Sequence, residues 1–313
     1  MKNVARMALA VGAVALVAGC GAIQPPVGPP AAIPQSRTIA KHDDRLLYIS
    51  DEGTNDVYVY SLSKGTIVET LTGFSEPRGV CLDNAGDIWI TEAGNSKLIE
   101  YAPGGTKPIA SVNDPGEFPV DCSINGTTGN LGAANIISAK YGPGSLSVYS
   151  GTVGAPAIVR AFAHTYDAAY DLAGNLFVDG ADDHGWSQFG ELARGAKTVV
   201  PLTLKGGTIS NPINLQYADG HLAIGDDRGY SEDSVIYQVA VKGSAAKVIG
   251  RTRLHDANVI AFFIVGSQVF CLNSTKLGVR VDVYNYPAGG RATTVIKVSG
   301  LSMPVGLAVT TAK

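Results

Sequence analysis

The feature that most constrains this chain is a recurrence. A short apolar strand led by Pro, Asp or Asn is followed by a turn and a second strand, and the lead residues fall at Pro77, Pro119, Asp167, Pro212, Asn258 and Pro304. Successive steps are 42, 48, 45, 46 and 46 residues. The most regular copy runs Pro77–Arg78–Gly79–Val80–Cys81–Leu82–Asp83, turns through Asn84–Gly86 and continues as Asp87–Ile88–Trp89–Ile90–Thr91. After a polar loop at Glu92–Ser96 it gives a third strand, Lys97–Tyr101. β-Branched and aromatic residues dominate, and helical periodicity is almost absent. A period of roughly 40–50 residues with about four strands per unit predicts a β-propeller. The chain ends set the blade count. Val305–Val309 is a first strand with no followers, whereas Leu46–Ser50, Val57–Ser61 and Thr66–Thr72 are followers with no first strand. Joined, they complete one blade beside five internal ones. The expectation is an all-β, six-bladed β-propeller over residues 41–313, closed by the C-terminal strand joining the N-terminal blade. An open β-solenoid is the competing architecture, but its repeats are usually shorter and its ends are capped rather than complementary.

Composition agrees. The 313 residues include 38 glycines and are 45% hydrophobic and 16% charged, which suits many short strands and tight turns around a substantial core. The net charge is −3 and no basic run is present, which argues against a nucleic-acid partner. The third strands carry Tyr101, Tyr149, Tyr237 and Tyr284, read as inter-blade packing. Cys81 and Cys122 fall on the first strands of neighbouring repeats, so a bridge between them is geometrically reasonable in an exported protein; the alternative is two small buried thiols. Cys271, in Gln268–Leu272, reads as a buried hydrophobe.

Pro77–Asp83 and Gly86–Thr91 resemble the NHL-repeat class of six-bladed propellers, in which Pro-x-Gly-(Ile/Val)-Ala-(Val/Leu)-Asp leads to Gly-(Asn/Asp)-(Ile/Leu/Val)-(Trp/Tyr)-Val. The match is good in this repeat and partial in four others, and Cys81 and Cys122 stand where the class has Ala. The Pro119–Asn135 stretch also resembles exported bacterial propellers. The resemblance specifies a fold and hardly an activity.

In such a propeller the lead-in to each first strand and the loop after each second strand share one face. Asp51, Glu52, Glu92, Asp179, Asp182, Asp183, His184, Asp226, Asp227, Arg228 and Asn273 are therefore expected to ring one end of the channel. Glu76, Arg78, Glu117, Asp121, His164, Asp167, Asn211, Asn214, His255, Asp256 and Asn258 join them from the lead-ins. The sharpest cluster is Asp179–Gly180–Ala181–Asp182–Asp183–His184, with Asp226–Asp227–Arg228 one blade on. Its carboxylates could hold Ca²⁺ or another divalent metal, or a cationic ligand; equally, Asp and Gly are what turns are made of. Trp186, an aromatic in a polar loop, is a candidate ligand contact. Six-bladed gluconolactonase-like proteins hold a divalent metal at the channel mouth, and Asp167, Asn214 and Asn258 occupy lead-in positions compatible with that type. No motif of that family matches residue by residue. The five histidines show no zinc-ligand spacing, and there is neither a Gly-x-Ser-x-Gly elbow nor a P-loop. The sequence thus points to a binding module for a small molecule or envelope protein, expected to be monomeric, with a metal-dependent lactonase-like hydrolase or lyase as the alternative.

The N-terminus bears on location. Lys2 and Arg6 precede an apolar run, Met7–Val17, too short for a comfortable membrane span. Leu16–Val17–Ala18–Gly19–Cys20 resembles a bacterial lipobox. The resemblance implies a signal peptide over residues 1–19, cleavage before Cys20 and its lipidation; an ordinary secretory signal is the alternative. Loss of Lys2 and Arg6 leaves the mature chain at −5. Residues 20–40 contain Pro25, Pro26, Pro29, Pro30 and Pro34, a polyproline-type tether. Gly21 rather than Asp follows the cysteine, which favours the outer membrane where a host has one. More than one acyl chain makes the attachment stable. Cys20→Ala is expected to move the protein from the membrane to the soluble fraction on cell fractionation; continued membrane retention would count against lipidation.

Overall fold

A computed structural model describes residues 45–310, apart from 139, 230–232 and 277. The expected signal peptide (1–19), lipidated Cys20 and tether (20–40) lie outside the described residues.

Six antiparallel sheets follow one another along the chain as the blades of a propeller. Blade one orders Pro304–Val309, Leu46–Asp51, Asp56–Ser61 and Thr66–Leu71 from the channel outward. Blade two is Pro77–Leu82, Ile88–Glu92, Lys97–Tyr101 and Pro108–Asn113; blade three is Glu117–Ile124, Leu131–Ser138, Ser145–Ser150 and Val153–Arg160. Blade four is His164–Tyr170, Leu176–Ala181, Ser187–Leu192 and Val200–Pro201. Blade five is Pro212–Ala218, His221–Asp226, Ser234–Lys242 and Ala245–Leu254, with Thr203–Lys205 added in parallel at its outer edge. Blade six is Val259–Val265, Gln268–Thr275, Gly278–Asn285 and Thr294–Ile296. The ring closes as expected, with Leu47 opposite Val309, Tyr48 opposite Ala308 and Ile49 opposite Leu307.

The core is distributed over the blade interfaces. Tyr48, Val57, Ile88 and Ile90 pack between blades one and two. Trp89, Leu98, Leu131 and Tyr149 pack between two and three, and Phe177, Leu215 and Ile224 between four and five. Because each blade is covered on both faces by neighbours, its middle strands are apolar on successive residues rather than alternately: Ile88–Glu92 is buried at every position. Tyr101, Tyr149, Tyr237 and Tyr284 are all buried in these interfaces. A disulfide joins Cys81 to Cys122 across the inner strands of blades two and three, and Cys271 is a buried free thiol.

Outside blade one, whose outermost strand Thr66–Leu71 is legible in the sequence, the pattern marks three strands per blade but not the outermost. Pro108–Asn113 is largely exposed, as is Val153–Arg160. A strand on the rim packs one edge only, so it carries no apolar run to mark it.

All six inner strands carry a register irregularity near the channel. It falls between Pro77 and Val80, Pro119 and Asp121, Thr165 and Ala168, Ile213 and Leu215, and Val259 and Ala261, and in blade one opposite Ser50 and Asp51. A bulge repeated at one level bends each strand and turns its unpaired residues towards the axis.

Leu307 belongs both to the closing strand and to a cluster with Leu47, Ile49 and Phe270. Leu307→Ala is expected to lower unfolding free energy by about 2–4 kcal/mol, read as a fall in the urea midpoint. A loss below about 0.5 kcal/mol, the range of ordinary surface substitutions, would show that the seam does not hold the ring.

Candidate functional site

Define the upper end of the propeller as the one where second strands finish and inner strands begin. Polar residues at or within two positions of the ends of five second strands are completely buried: Asp51, Glu92, Asp179, Asp226 and Asn273. Each accepts backbone N–H groups of its own blade at this end, from the lead-in to the inner strand, from the inner strand itself or, for Asp51, also from the loop that follows it. Asp51 accepts from Gly53, Thr54, Ser302 and Met303 at 2.6–3.1 Å. Glu92 accepts from Ser75 N–H at 2.8 Å, and Asp226 from Ser210 and Asn211 N–H, both at 3.0 Å. Asn273 accepts from Asn258 N–H at 2.7 Å, and Asp179 from Asp167 N–H at 3.0 Å. These groups fasten the returning chain to the blade, satisfying donors that would otherwise be buried unpaired.

The candidate cluster Asp179–His184 with Asp226–Arg228 is thereby divided. Asp179 and Asp226 are fully buried fasteners. Asp182 folds a tight turn, accepting from His184 and Trp186 N–H at 2.9 Å each and from Gln188 Nε2 at 3.2 Å. That turn leaves Asp183 and His184 exposed and Trp186 71% exposed. Asp227 accepts from Gly229 N–H at 2.9 Å, and the Arg228 guanidinium lies 3.3 Å from the Asp226 carboxylate.

Of the three metal candidates, the structure brings two together. Asp167 and Asn214 line a cavity of about 210 Å³ in the central channel, with Asp121, Gly79 and Gly306. From blade six that cavity takes Ile260 and Ala261; Asn258 sits at the lead-in, bonded through its N–H to Asn273. Among the described residues, the three carboxylates with ligand oxygens all within 4.8 Å of one another are Asp83, Asp87 and Glu100, outside the channel. There Asp83 Oδ1 already accepts from Ala85 and Asp87 N–H, both at 2.8 Å.

Asp121 belonged to the polar ring expected from the sequence but to none of the sets singled out there. The signal was available: Asp121, Asp167 and Asn214 follow one another at nearly the repeat period. Each sends its side chain to the next blade. Asp121 Oδ2 accepts from Ala168 N–H at 3.0 Å, Asp167 Oδ2 from Asn214 N–H at 2.8 Å, and Asn214 Oδ1 from Phe262 N–H at 3.2 Å. Asn214 does so in the left-handed region, at φ 59°, a conformation Asn tolerates better than most residues. Gly79 and Gly306 occupy the corresponding level in blades two and one. A side chain on Gly79 would collide with Asp121 and Val120, and one on Gly306 with Arg78 and Ser50.

The electrostatics of the channel are unusual. Burial pushes the Asp167 carboxyl up to about 6, against the pull of the Asn214 N–H. Asp121 is raised by burial and then by the charge of Asp167; Asp179 is raised by burial and then by Asp167 and Asp121. Oδ2 of Asp179 has no hydrogen-bond donor, and the side chain meets that of Asp167. Three acidic groups thus lie close together, and at neutral pH they disfavour one another's ionisation.

Residues 74–101 match the NHL repeat family, which places the match on the first three strands of blade two. No curated protein sequence matches the chain significantly. Similar solved structures include a chain from the crystal structure of a nidogen/laminin complex (TM-score 0.63, 11% identity, covering 85% of this chain and 98% of that one). A protein of unknown function from Bacteroides caccae is similar at TM-score 0.64 and 13% identity, with 86% and 100% covered. At these identities the likeness is one of fold. The chain is a six-bladed β-propeller with an NHL repeat in its second blade.

The raised carboxyls give stability a definite pH dependence. Groups whose folded pKa lies above the unfolded value near 3.9 stabilise the fold while protonated, and that contribution fades as pH rises through about 6 for Asp167. Asp179→Asn keeps an acceptor for Asp167 N–H and supplies a donor to the Asp167 carboxylate. It is expected to raise stability at pH 8 by on the order of 1 kcal/mol and to flatten the pH slope between 5 and 8. Urea midpoints at both pH values check this; a slope equal to that of the parent protein would refute it.

Proposed function

We propose that this protein is a lipid-anchored binding module of the cell envelope that engages a protein or small-molecule partner through the upper end of its propeller. The observation that carries the reading is the Asp182 turn. It is held by its own hydrogen bonds and by Ser187, whose hydroxyl donates to the Ser210 carbonyl at 3.0 Å. An indole presented on a pre-ordered turn binds with little entropic cost, and an exposed Trp is a strong anchor. The nidogen/laminin structure shows the fold within a protein complex, which supports the partner class by analogy. The lipobox and the tether supply the location.

The second reading is a lactonase-like metal hydrolase, favoured by the meeting of Asp167 and Asn214 in the channel. Only two of its three candidate ligands line the cavity.

A photo-crosslinking residue at Trp186, compared with one at the exposed Leu172 on the opposite end, tests the binding reading in the native envelope. Discrete adducts from position 186 and none from 172 are expected. Identical patterns, or none from either position, would overturn it.

A further inference from the structure

At the lower end of the propeller, where inner strands turn back into second strands, a pocket of about 310 Å³ lies between blades three and four. That is the small end of the range for cavities that hold small molecules. Its accessible surface is mainly apolar, with Val148 and Val159 of blade three facing Tyr170, Leu176 and Leu192 of blade four. These side chains belong to the apolar cluster that joins the two blades. The pocket is therefore a part of that interface which the blades leave unfilled.

The polar side chains around it are of two kinds. Asn125 and Asn130 are occupied with their own turns: Asn125 Oδ1 accepts from Thr127 and Thr128 N–H, and Asn130 Oδ1 from Gly151 N–H. Tyr170, Arg194 and Lys197 are not so occupied. Among the described residues no hydrogen bond or ion pair reaches the Tyr170 hydroxyl, the Arg194 guanidinium or the Lys197 ammonium. Tyr170 is only 9% exposed, and a phenol so buried ordinarily finds a partner. Tyr48, Tyr149, Tyr237 and Tyr284 each bond a backbone group, at 2.8–3.4 Å. Tyr101 lacks a partner too, but it does not line this pocket. Burial pushes the Tyr170 hydroxyl up to about 12, so it keeps its proton and can donate at neutral pH.

The backbone places the two cations. Arg194 lies within, and Lys197 just after, a turn closed by Ala196 N–H on the Ala193 carbonyl at 2.8 Å. Asn175 Oδ1 accepts from Arg194 N–H at 3.0 Å. A β-carbon on Gly174 would lie 3.2 Å from Arg194 Cδ and 3.3 Å from Asn125 Nδ2, which sets the Arg194 stem at the seam of the two blades. Neighbouring acids are directed elsewhere. Glu191 alternates with Leu192 and pairs with Phe177, which packs towards blade five. Asp171 accepts from Ala173 and Asn175 N–H through Oδ1 and from Asn175 Nδ2 through Oδ2.

An apolar pocket whose free polar groups are a phenol donor and two cations complements an apolar body that ends in an oxyanion. A neutral ligand would leave both cations unused, and an ammonium would be repelled. We propose that the pocket between blades three and four binds a small amphipathic carboxylate, its body against Val148, Val159, Leu176 and Leu192 and its head met by Arg194, Lys197 and the Tyr170 hydroxyl. This site is separate from the upper-end surface and stands whether or not that surface engages a partner. A small molecule leaves no protein adduct at Leu172, so the crosslinking result and the one below are independent.

The test titrates the full chain in a neutral detergent with hexanoate, which is short enough to stay in water rather than enter micelles, and with hexan-1-ol and hexylamine. Saturation-transfer NMR follows binding. Hexanoate is expected to bind with a Kd of about 1 mM or tighter, roughly tenfold or more below that of either analogue. Tyr170→Phe removes one buried oxygen and should weaken hexanoate about tenfold, as expected for a hydrogen bond to a charged group. Arg194→Gln and Lys197→Gln should each weaken it by about threefold or more; both side chains are exposed, so these variants remain informative should Tyr170→Phe disturb the fold. Tyr101→Phe, away from the pocket, should leave binding unchanged. Equal binding of hexan-1-ol would reduce the pocket to an apolar gap, and equal binding of hexylamine would remove the role of the cations. Either result overturns the proposal, as does no binding of hexanoate or an affinity unchanged in all three pocket variants.

Discussion

The structure depends on how neighbouring inner strands are joined without pairing. Around the axis the blades splay, so inner strands of adjacent blades belong to different sheets, and the bulges free backbone groups at this level. Side chains fill the gap. Asp121 and Ser123 accept from Ala168 and Tyr170 N–H, each at 3.0 Å. Asp167 accepts from Asn214, and Asn214 from Phe262. Gln216 both accepts from Ile264 N–H at 2.7 Å and donates to its carbonyl at 2.9 Å. In blades one and two the Ser50 hydroxyl donates to the Arg78 carbonyl, and the Cys81–Cys122 disulfide makes the step from two to three covalent. Polar satisfaction near the axis and apolar packing farther out therefore hold the same interfaces.

The acidity of the channel follows from that arrangement. A short carboxylate is a good acceptor for a neighbouring strand's N–H, and it brings a charge with it. In blades three and four this happens at consecutive positions round the ring, and Asp179 adds a third acid while fastening the chain that leads into Asp167. One set of residues thus closes the interfaces and leaves acidic groups beside the channel cavity. Such a conflict between local polarity and global packing is a mark of functional sites.

Legibility in the sequence tracked burial. Pro77–Tyr101 could be read strand by strand because both faces of that blade are covered, giving unbroken apolar runs between Gly and Asp turns. Pro108–Asn113 could not, because a rim strand with mostly exposed side chains resembles a loop in composition. The polar motif Asp179–His184 was visible, yet its members part within a few residues: Asp179 faces inward at the end of a buried strand, and Asp183 lies in solvent. No local pattern distinguishes a carboxylate that fastens its own backbone from one that awaits a ligand, since both need only Asp beside a turn.

The sequence by itself determined the period, the all-β class, the six blades and the complementary ends, because each depends on apolar spacing and turn chemistry within one repeat. It also placed Cys81 and Cys122 on adjacent inner strands. Only the tertiary structure decided which acids are fasteners and which are paired. Those distinctions arise where residues about one repeat apart, such as Asp121, Asp167 and Asn214, converge on the axis, and proximity across a closed ring is set by the packing of all six blades together.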